Sequence, residues 1–248
     1  MRPDASKKIA TVTPKSGPNV VIIGAVVAVV VILAVVVAIV VGNNSKPGSS
    51  GAASGNPVPV GVVGGTGGGI LADQTAAKSK VPTVDVYADF QCPICGRFEE
   101  QFGPALTALA KAGEIKYVVH MMSFLDDNLG NDSSKRSTNA AACAADAGKF
   151  LEYHSAVFAA QPAKEGDGYT DAQLTEFAKT SGITGGALTT WQQCTTSGQH
   201  AQYVTDVADT SGKAGVTGTP TVKINGKDIT KTLTTPEALV AAVKAAKS

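Results

Sequence analysis

The sequence predicts an α/β domain carried behind one membrane-spanning helix, on three observations. An uncharged run of 22 residues, Val20 to Val41, lies near the N-terminus. A strand-forming run, Thr83 to Tyr87, leads within a few residues into Cys92-Pro93, a helix start. A long stretch of helical pattern is then followed by an Asn-Gly hairpin and a closing helix.

As a helix the apolar run is about 33 Å long, enough for the ~30 Å hydrocarbon core of a bilayer. The competing reading is a cleaved signal peptide. Its apolar region usually covers about 7–15 residues and ends at a small-residue cleavage site. Here the run is longer and Gly42-Asn43-Asn44-Ser45-Lys46 follows it. No cysteine precedes Cys92, so no lipid-modified cysteine follows the run. Arg2, Lys7, Lys8 and Lys15 flank it on the N-terminal side and only Lys46 lies close on the other. The positive-inside rule puts residues 1–19 in the cytoplasm, residues 20–41 across the membrane and the remainder outside. An oxidising compartment of that kind preserves disulfides. Residues 42–57 are rich in Gly, Ser, Asn and Pro and read as a flexible tether of roughly 22 Å mean span. Residues 58–248 are ample for one domain with its own core.

Without Arg2, Lys7, Lys8, Lys15 and Asp4, the totals of 21 basic and 20 acidic residues fall to 17 and 19. The outer part is therefore nearly neutral, which excludes the basic footprint of a nucleic-acid binder and a basic membrane-surface helix. No repeat at a solenoid period is present.

Taken in order, Val58 to Val63 reads as a first edge strand and Gly69-Ile70-Leu71 as a second short piece. Val84, Val86 and Tyr87 are strand formers, and Pro82 precedes them where it costs no ladder bond. Pro93 suits the first helical position because its missing N–H is not needed there. Phe98, Phe102, Leu106 and Leu109 recur at helical spacing, and Gly103-Pro104 is expected to kink that helix. Ile115 to Met121 is the next strand. Helical segments follow near 134–147, 149–160, 171–180, 187–194 and 200–211. Thr170-Asp171 gives one of them an N-cap. Asn225-Gly226, between Thr221–Ile224 and Lys227–Ile229, is the strongest short hairpin signal. Thr235-Pro236-Glu237 opens the last helix, through Ala246. Strand, helix, strand, helical block, hairpin and helix make an α/β layout with strands between helices.

The chemistry concentrates at Cys92-Pro93-Ile94-Cys95. The thiolate is the nucleophile in disulfide exchange. A cysteine at a helix N-terminus faces free N–H groups and the positive end of the dipole. Cys92 takes that position and Cys95 lies one turn further in, so the first is the expected attacker and the second the resolver. Two other readings stand beside this one. A static disulfide would close too short a loop to remove much chain entropy. Half of a zinc site would need a second ligand pair. Cys143 and Cys194 stand alone in the sequence, and His120, His154 and His200 form no spaced pair.

The segment Tyr87 to Cys95, continued by Arg97-Phe98-Glu99-Glu100, resembles the active-site segment of the DsbA-like thiol–disulfide oxidoreductases. Gly218-Thr219-Pro220-Thr221, ahead of the hairpin, resembles their cis-proline loop. The resemblance runs from about Val58 to the C-terminus and is nearest to the membrane-anchored proteins of actinobacteria. It implies a thioredoxin fold with a large inserted α-helical domain, about residues 123–214, preceded by one N-terminal transmembrane helix. It also implies that Cys92 is the exposed nucleophile and Cys95 its buried partner. Pro220 would form a cis peptide bond beside the thiols, and the Thr219 backbone would pair with an extended substrate alongside Pro93 and Ile94. The other reading of Pro220 is a trans-proline starting an edge strand. Strongly oxidising relatives carry His where this chain has Ile94, so a less oxidising couple is expected. Related isomerases carry Thr before the cis-proline, as here at Thr219.

Cys143 lies in an Ala-rich helical stretch and Cys194 near the end of another helix. A structural disulfide between them is expected, worth about 4 kcal/mol in the chain-entropy model. The sharper reading, a second redox pair, lacks a neighbouring Cys, Pro or basic group in the sequence. Asp85 and Asp89, just before the motif, are expected as a proton relay for Cys95 or as a solvated or turn carboxylate. Met121-Met122-Ser123-Phe124 reads as core or as an apolar groove, and Trp191 and the histidines as core or surface.

The resemblance implies an anchored oxidase that introduces disulfides into secreted proteins. It would use no cofactor or metal and would act as a monomer. Its partners would be reduced, unfolded secreted chains and a membrane reoxidase of the DsbB or vitamin K epoxide reductase-like kind. A reductase or isomerase of the same fold is the alternative, and a non-catalytic anchored binding domain is a third reading.

Overall fold

The computed structural model describes residues 57–73 and 80–246. The expected transmembrane run, the cytoplasmic segment and the tether up to residue 56 lie outside the described residues. Among the described residues no helix is long and apolar enough to cross a membrane.

The core is a six-stranded sheet in the order β1-β2-β4-β3-β5-β6. Its strands are β1 (Val62–Val63), β2 (Gly69–Leu71), β3 (Thr83–Ala88), β4 (Lys116–Met121), β5 (Thr221–Ile224) and β6 (Lys227–Asp228). β3 and β4 are parallel, with Val86 opposite Val119, and every other pair is antiparallel. Parallel neighbours need a crossover, and α1 (Pro93–Lys111) supplies it. Cys95, Phe98, Phe102, Leu106 and Leu109 form the buried stripe of α1, packed in one cluster with Val84, Val86 and Val119. Strand side chains alternate faces. Asp85 and Tyr87 therefore point to the face of β3 opposite α1.

Six helices lie between β4 and β5. They are α2 (Leu125–Leu129), α3 (Ser133–Asp146), α4 (Phe150–Ala159), α5 (Asp171–Thr180), α6 (Gly185–Ser197) and α7 (Ala201–Lys213). Together with the sheet they make a thioredoxin core with an inserted helical subdomain. α3 is its axis: Ala140 to Ala145 are all buried, and methyl-sized side chains let α4, α6 and α7 approach closely on several sides. Trp191 of α6 donates its indole N–H to the Ala140 carbonyl, 3.0 Å away. Cys143 and Cys194 are disulfide-bonded, linking α3 to α6. Thr170 and Gln173 form a reciprocal capping box at the start of α5. After β6, a 3-10 turn (Thr230–Thr232) leads to α8 (Pro236–Ala246), which buries Leu239 and Val243.

Several element boundaries differ from the sequence reading. The first strand covers Val62–Val63 rather than starting at Val58. The Val60 N–H is taken by the Asp146 carboxylate and the Val62 N–H turns back to Pro59, so the residues before Val62 form a turn instead of a ladder. The short α2 was not expected from the sequence, because five residues carry too little periodicity to mark a helix. At the hairpin, Asn225 (φ 49°) and Gly226 (φ 80°) are both left-handed, as a type I′ turn requires.

Candidate active site

Cys92 is the N-cap of α1 and Pro93 follows at the first helical position. The Cys92 sulfur accepts the Cys95 backbone N–H at 3.4 Å and lies 3.6 Å from the Thr219 carbonyl oxygen, to which the thiol donates. The Thr219–Pro220 peptide bond is cis. Two loops distant in sequence thus meet at one sulfur. Both cysteines are free, Cys92 at 6 % exposure and Cys95 at 0 %. Ile94 between them projects outward at 55 % exposure, an apolar side chain displayed beside the sulfur.

The two thiols are electrostatically unequal. A hydrogen bond from the Cys95 thiol pulls Cys92 down from 9.0 to about 6, against desolvation. The Thr219 side chain and the backbone N–H groups of Cys95 and Ile94 help. Burial first, and then donation to Cys92, pushes Cys95 far up. Above about pH 6 the reduced pair therefore favours a thiolate on the outer sulfur, with the proton kept on the inner.

The helical insertion clamps the loop that carries Cys92. Gln161, just beyond α4, donates to the carbonyls of Phe90 (2.8 Å) and Cys92 (3.0 Å). The Tyr169 hydroxyl also reaches the Phe90 carbonyl, at 3.1 Å. Gly96 permits this approach, because a Cβ there would overlap the Gln161 amide oxygen. Beneath the loop lies a buried polar network. Ser134 donates to Asp89 Oδ1 at 2.6 Å, and the Gln91 and Leu125 N–H groups also reach that carboxyl. The Gln91 amide lies 2.8 Å from Asp126 Oδ1. Asp126 in turn accepts the Ser134 and Lys135 N–H groups and so caps α3. None of Gln91, Asp126, Ser134, Gln161 or Tyr169 was singled out from sequence; each is an ordinary polar residue until the fold brings it under the motif.

Of the two expected relay acids, the structure brings one to the motif. Asp89 is fully buried, its carbonyl accepts the Cys92 N–H at 3.0 Å, and burial raises its carboxyl from 3.8 to about 7. Asp85 lies on the opposite face of β3, 3.0 Å from His120. Met121 joins the main core, while Met122 packs with Tyr87, Val216 and Phe124 in a small second cluster.

Glu99, one turn beyond Cys95 on α1, is a further buried acid. Desolvation raises it from 4.5 to about 7, and the Tyr117 hydroxyl donates to it at 3.3 Å. Its other neighbour is His154, 3.9 Å away and fully buried among Phe90, Phe150 and Phe158. Burial lowers that imidazole to about 3, so it is neutral. Between about pH 4.5 and 7 the folded state holds a proton on Glu99 that the unfolded state has lost. That contribution is full below about 4.5 and is lost as pH rises through 7. Glu99→Gln is therefore expected to match the parent in stability near pH 4.5 and to exceed it above pH 7, by roughly 3 kcal/mol. Urea unfolding at pH 5 and pH 8 checks this.

Comparison with known proteins places these features in a family. The thioredoxin family matches residues 74–245. Disulfide bond oxidoreductase DsbG from Mycobacterium tuberculosis, in its reduced form, is 34% identical; the alignment covers 66% of this chain and 77% of that one, with a TM-score of 0.56. Reduced DsbA from the same organism is 31% identical over 77% of this chain and 92% of that one, with a TM-score of 0.58. MdbA, a thiol-disulfide oxidoreductase from Actinomyces oris, is 22% identical over 79% and 96%, with a TM-score of 0.63, and shares the fold. No curated protein matches.

Proposed function

The chain belongs to the thioredoxin superfamily as a DsbA-like thiol–disulfide oxidoreductase, and from that premise we propose that it is a membrane-anchored oxidase that introduces disulfides into secreted proteins through Cys92 and Cys95. The observation that carries this reading is the unequal pair: Cys92 drawn down to about 6 and Cys95 pushed up. A low thiol pKa on the outer sulfur stabilises the reduced enzyme, which makes the oxidised enzyme the better electron acceptor.

In this reading the oxidised enzyme carries a Cys92–Cys95 disulfide. A substrate thiolate attacks the Cys92 sulfur, the S–S bond breaks and Cys95 leaves. Because Cys95 strongly prefers its proton, it leaves as a thiol, and Asp89, the buried acid of the loop that carries Cys92, would supply the proton. A second substrate thiolate then attacks the substrate sulfur of the mixed disulfide. Cys92 leaves as the thiolate that its environment favours. Two electrons have passed to the enzyme and the substrate carries a new disulfide. The Thr219 backbone beside cis-Pro220 would pair with an extended substrate, and exposed Ile94 with Pro93 would form the apolar side of that contact. A membrane reoxidase of the DsbB or vitamin K epoxide reductase-like kind would accept the two electrons. The uncharged run Val20 to Val41 and the tether behind it support an anchored enzyme on the outer face. The chain would act as a monomer without cofactor.

An equilibrium titration against glutathione tests the direction. The Ile94 side chain supplies no donor or charge to Cys92, so the couple should lie between the roughly −270 mV of thioredoxin and the roughly −120 mV of DsbA. Thiol trapping in cells should find the pair mostly oxidised. A mostly reduced pair, or a potential at or below the thioredoxin value, would assign the chain to the reductases or isomerases. Ile94→His is expected to lower the Cys92 pKa and make the couple more oxidising.

The pH dependence has a definite sign. Cys92 is depressed from 9.0 to about 6, so it stabilises the reduced fold fully above about 9 and loses that contribution as pH falls through 6. Iodoacetamide alkylation of the reduced enzyme should rise through about pH 6 and level off by pH 7.5. An ordinary thiol would still be accelerating there.

A further inference from the structure

Outside the redox motif, the structure gathers a second set of soft ligands. The ligand atoms of Cys143, Cys194 and His200 all lie within 4.8 Å of one another, and all three residues are buried. They come from α3, from α6 and from the residue that opens α7. In the oxidised chain the two sulfurs are bonded to each other and are not available as ligands. We propose that reduction of this disulfide creates a zinc site, in which Cys143, Cys194 and His200 hold Zn²⁺.

The chemistry balances in two steps. A dithiol reductant passes two electrons and two protons to the Cys143–Cys194 bond, leaving two thiols here and a disulfide on the reductant. Zn²⁺ then displaces the two thiol protons to solvent and forms two Zn–S bonds, with no change of oxidation state. The Cα atoms of the two cysteines are 6.0 Å apart, close enough for side-chain rotation to bring both sulfurs to one ion at bonds of about 2.3 Å.

His200 is held by an oxygen acceptor at each ring nitrogen. One ring nitrogen, Nε2, lies 2.7 Å from Asp146 Oδ2, and the other, Nδ1, lies 2.9 Å from the Pro57 carbonyl. A zinc-binding imidazole characteristically donates its second N–H to a carboxylate or a carbonyl, which fixes its orientation. His200 has one of each, so binding the metal requires it to give up one of these two contacts and keep the other. Asp146 lies three residues after Cys143 on α3 and so shares its face. Its side chain is 31 % exposed, which gives solvent a way in. The fourth position belongs to this carboxylate or to a water beside it. Two thiolates and an imidazole select zinc over calcium or magnesium. The metal would join α3 to α6 in the reduced chain, as the disulfide joins them in the oxidised one.

The test uses the full chain in detergent with Cys92→Ala and Cys95→Ala, so that Cys143 and Cys194 are the remaining thiols. It is reduced with a dithiol, freed of reductant without air, and titrated with Co²⁺ and then Zn²⁺. The expected result is a sulfur-to-cobalt charge-transfer band, displaced by one zinc per chain. The band should be absent from the oxidised chain and from the added variant Cys194→Ser. His200→Ala should weaken zinc binding by more than the roughly 10- to 100-fold that loss of an outer partner costs. Circular dichroism accompanies each sample. If the reduced chain loses helix without metal, zinc should restore it. The proposal is overturned by a reduced chain that gives no band, by His200→Ala binding zinc as tightly as the parent, by equal affinity in denaturant, or by zinc failing to restore lost helix.

Discussion

Replacing Cys92 by serine is expected to lower both peptide oxidation and insulin reduction to background, a loss of at least about 1,000-fold, in line with removal of a catalytic nucleophile. Cys95 cannot take over. It is fully buried, and its proton is held by burial and by the bond to Cys92. A serine hydroxyl placed in the same hydrogen bonds would keep the helix cap but would not ionise. Cys95→Ser has the opposite signature: Cys92 still attacks, but nothing resolves the product. That variant should accumulate mixed disulfides formed when Cys92 attacks the disulfides of oxidised secreted proteins, seen as dithiol-sensitive bands on a gel. The contrast separates an enzyme from a binding domain that merely keeps a thioredoxin shape. Activity persisting in Cys92→Ser would remove Cys92 as the nucleophile.

The motif was legible because its chemistry is local. Helix position, proline and thiol spacing are all set within four residues, and Cys92 stands at the start of α1 where the sequence puts it. Long, periodic elements were legible for the same reason; the buried stripe of α1 is the apolar repeat read from the sequence. What the sequence hid is contact between distant segments. Gln161 and Tyr169 hold the Phe90 carbonyl from 71 and 79 residues away, and no spacing rule reaches that far. Alternation alone would put Asp85 and Asp89 on the same face of β3; the end of the strand is what separates them. Strict alternation puts Asp85 opposite the Val84–Val86 face, while Asp89 lies just past the last strand residue, Ala88, where the chain leaves the ladder. His200 is the sharpest case. In the sequence neither Cys143 nor Cys194 has a basic neighbour, yet the fold brings an imidazole to both.

Removing the Cys143–Cys194 bond by the double substitution to alanine is expected to lower the unfolding free energy by about 4 kcal/mol, from the 51-residue separation. For a domain of this size that corresponds to a fall in Tm of about 8–16 °C. The bond ties α3 to α6, while Cys92, Thr219 and Gln161 belong to other elements, so exchange activity at 25 °C should be retained by the fraction that remains folded. Calorimetry of the double variant against the parent, with activity measured well below both midpoints, checks the two parts separately. The size of the loss also decides between two accounts of the insertion. α3 is packed through six consecutive buried residues, Ala140 to Ala145, and Trp191 is hydrogen-bonded to it independently of the sulfurs. If those contacts alone hold α6 in place, the unfolded chain gains entropy when the link is cut but the folded structure is unchanged, and the loss stays near the chain-entropy value. If the bond positions α6, cutting it also loosens Trp191. The loss then exceeds 4 kcal/mol and the indole fluorescence shifts to the red before global unfolding.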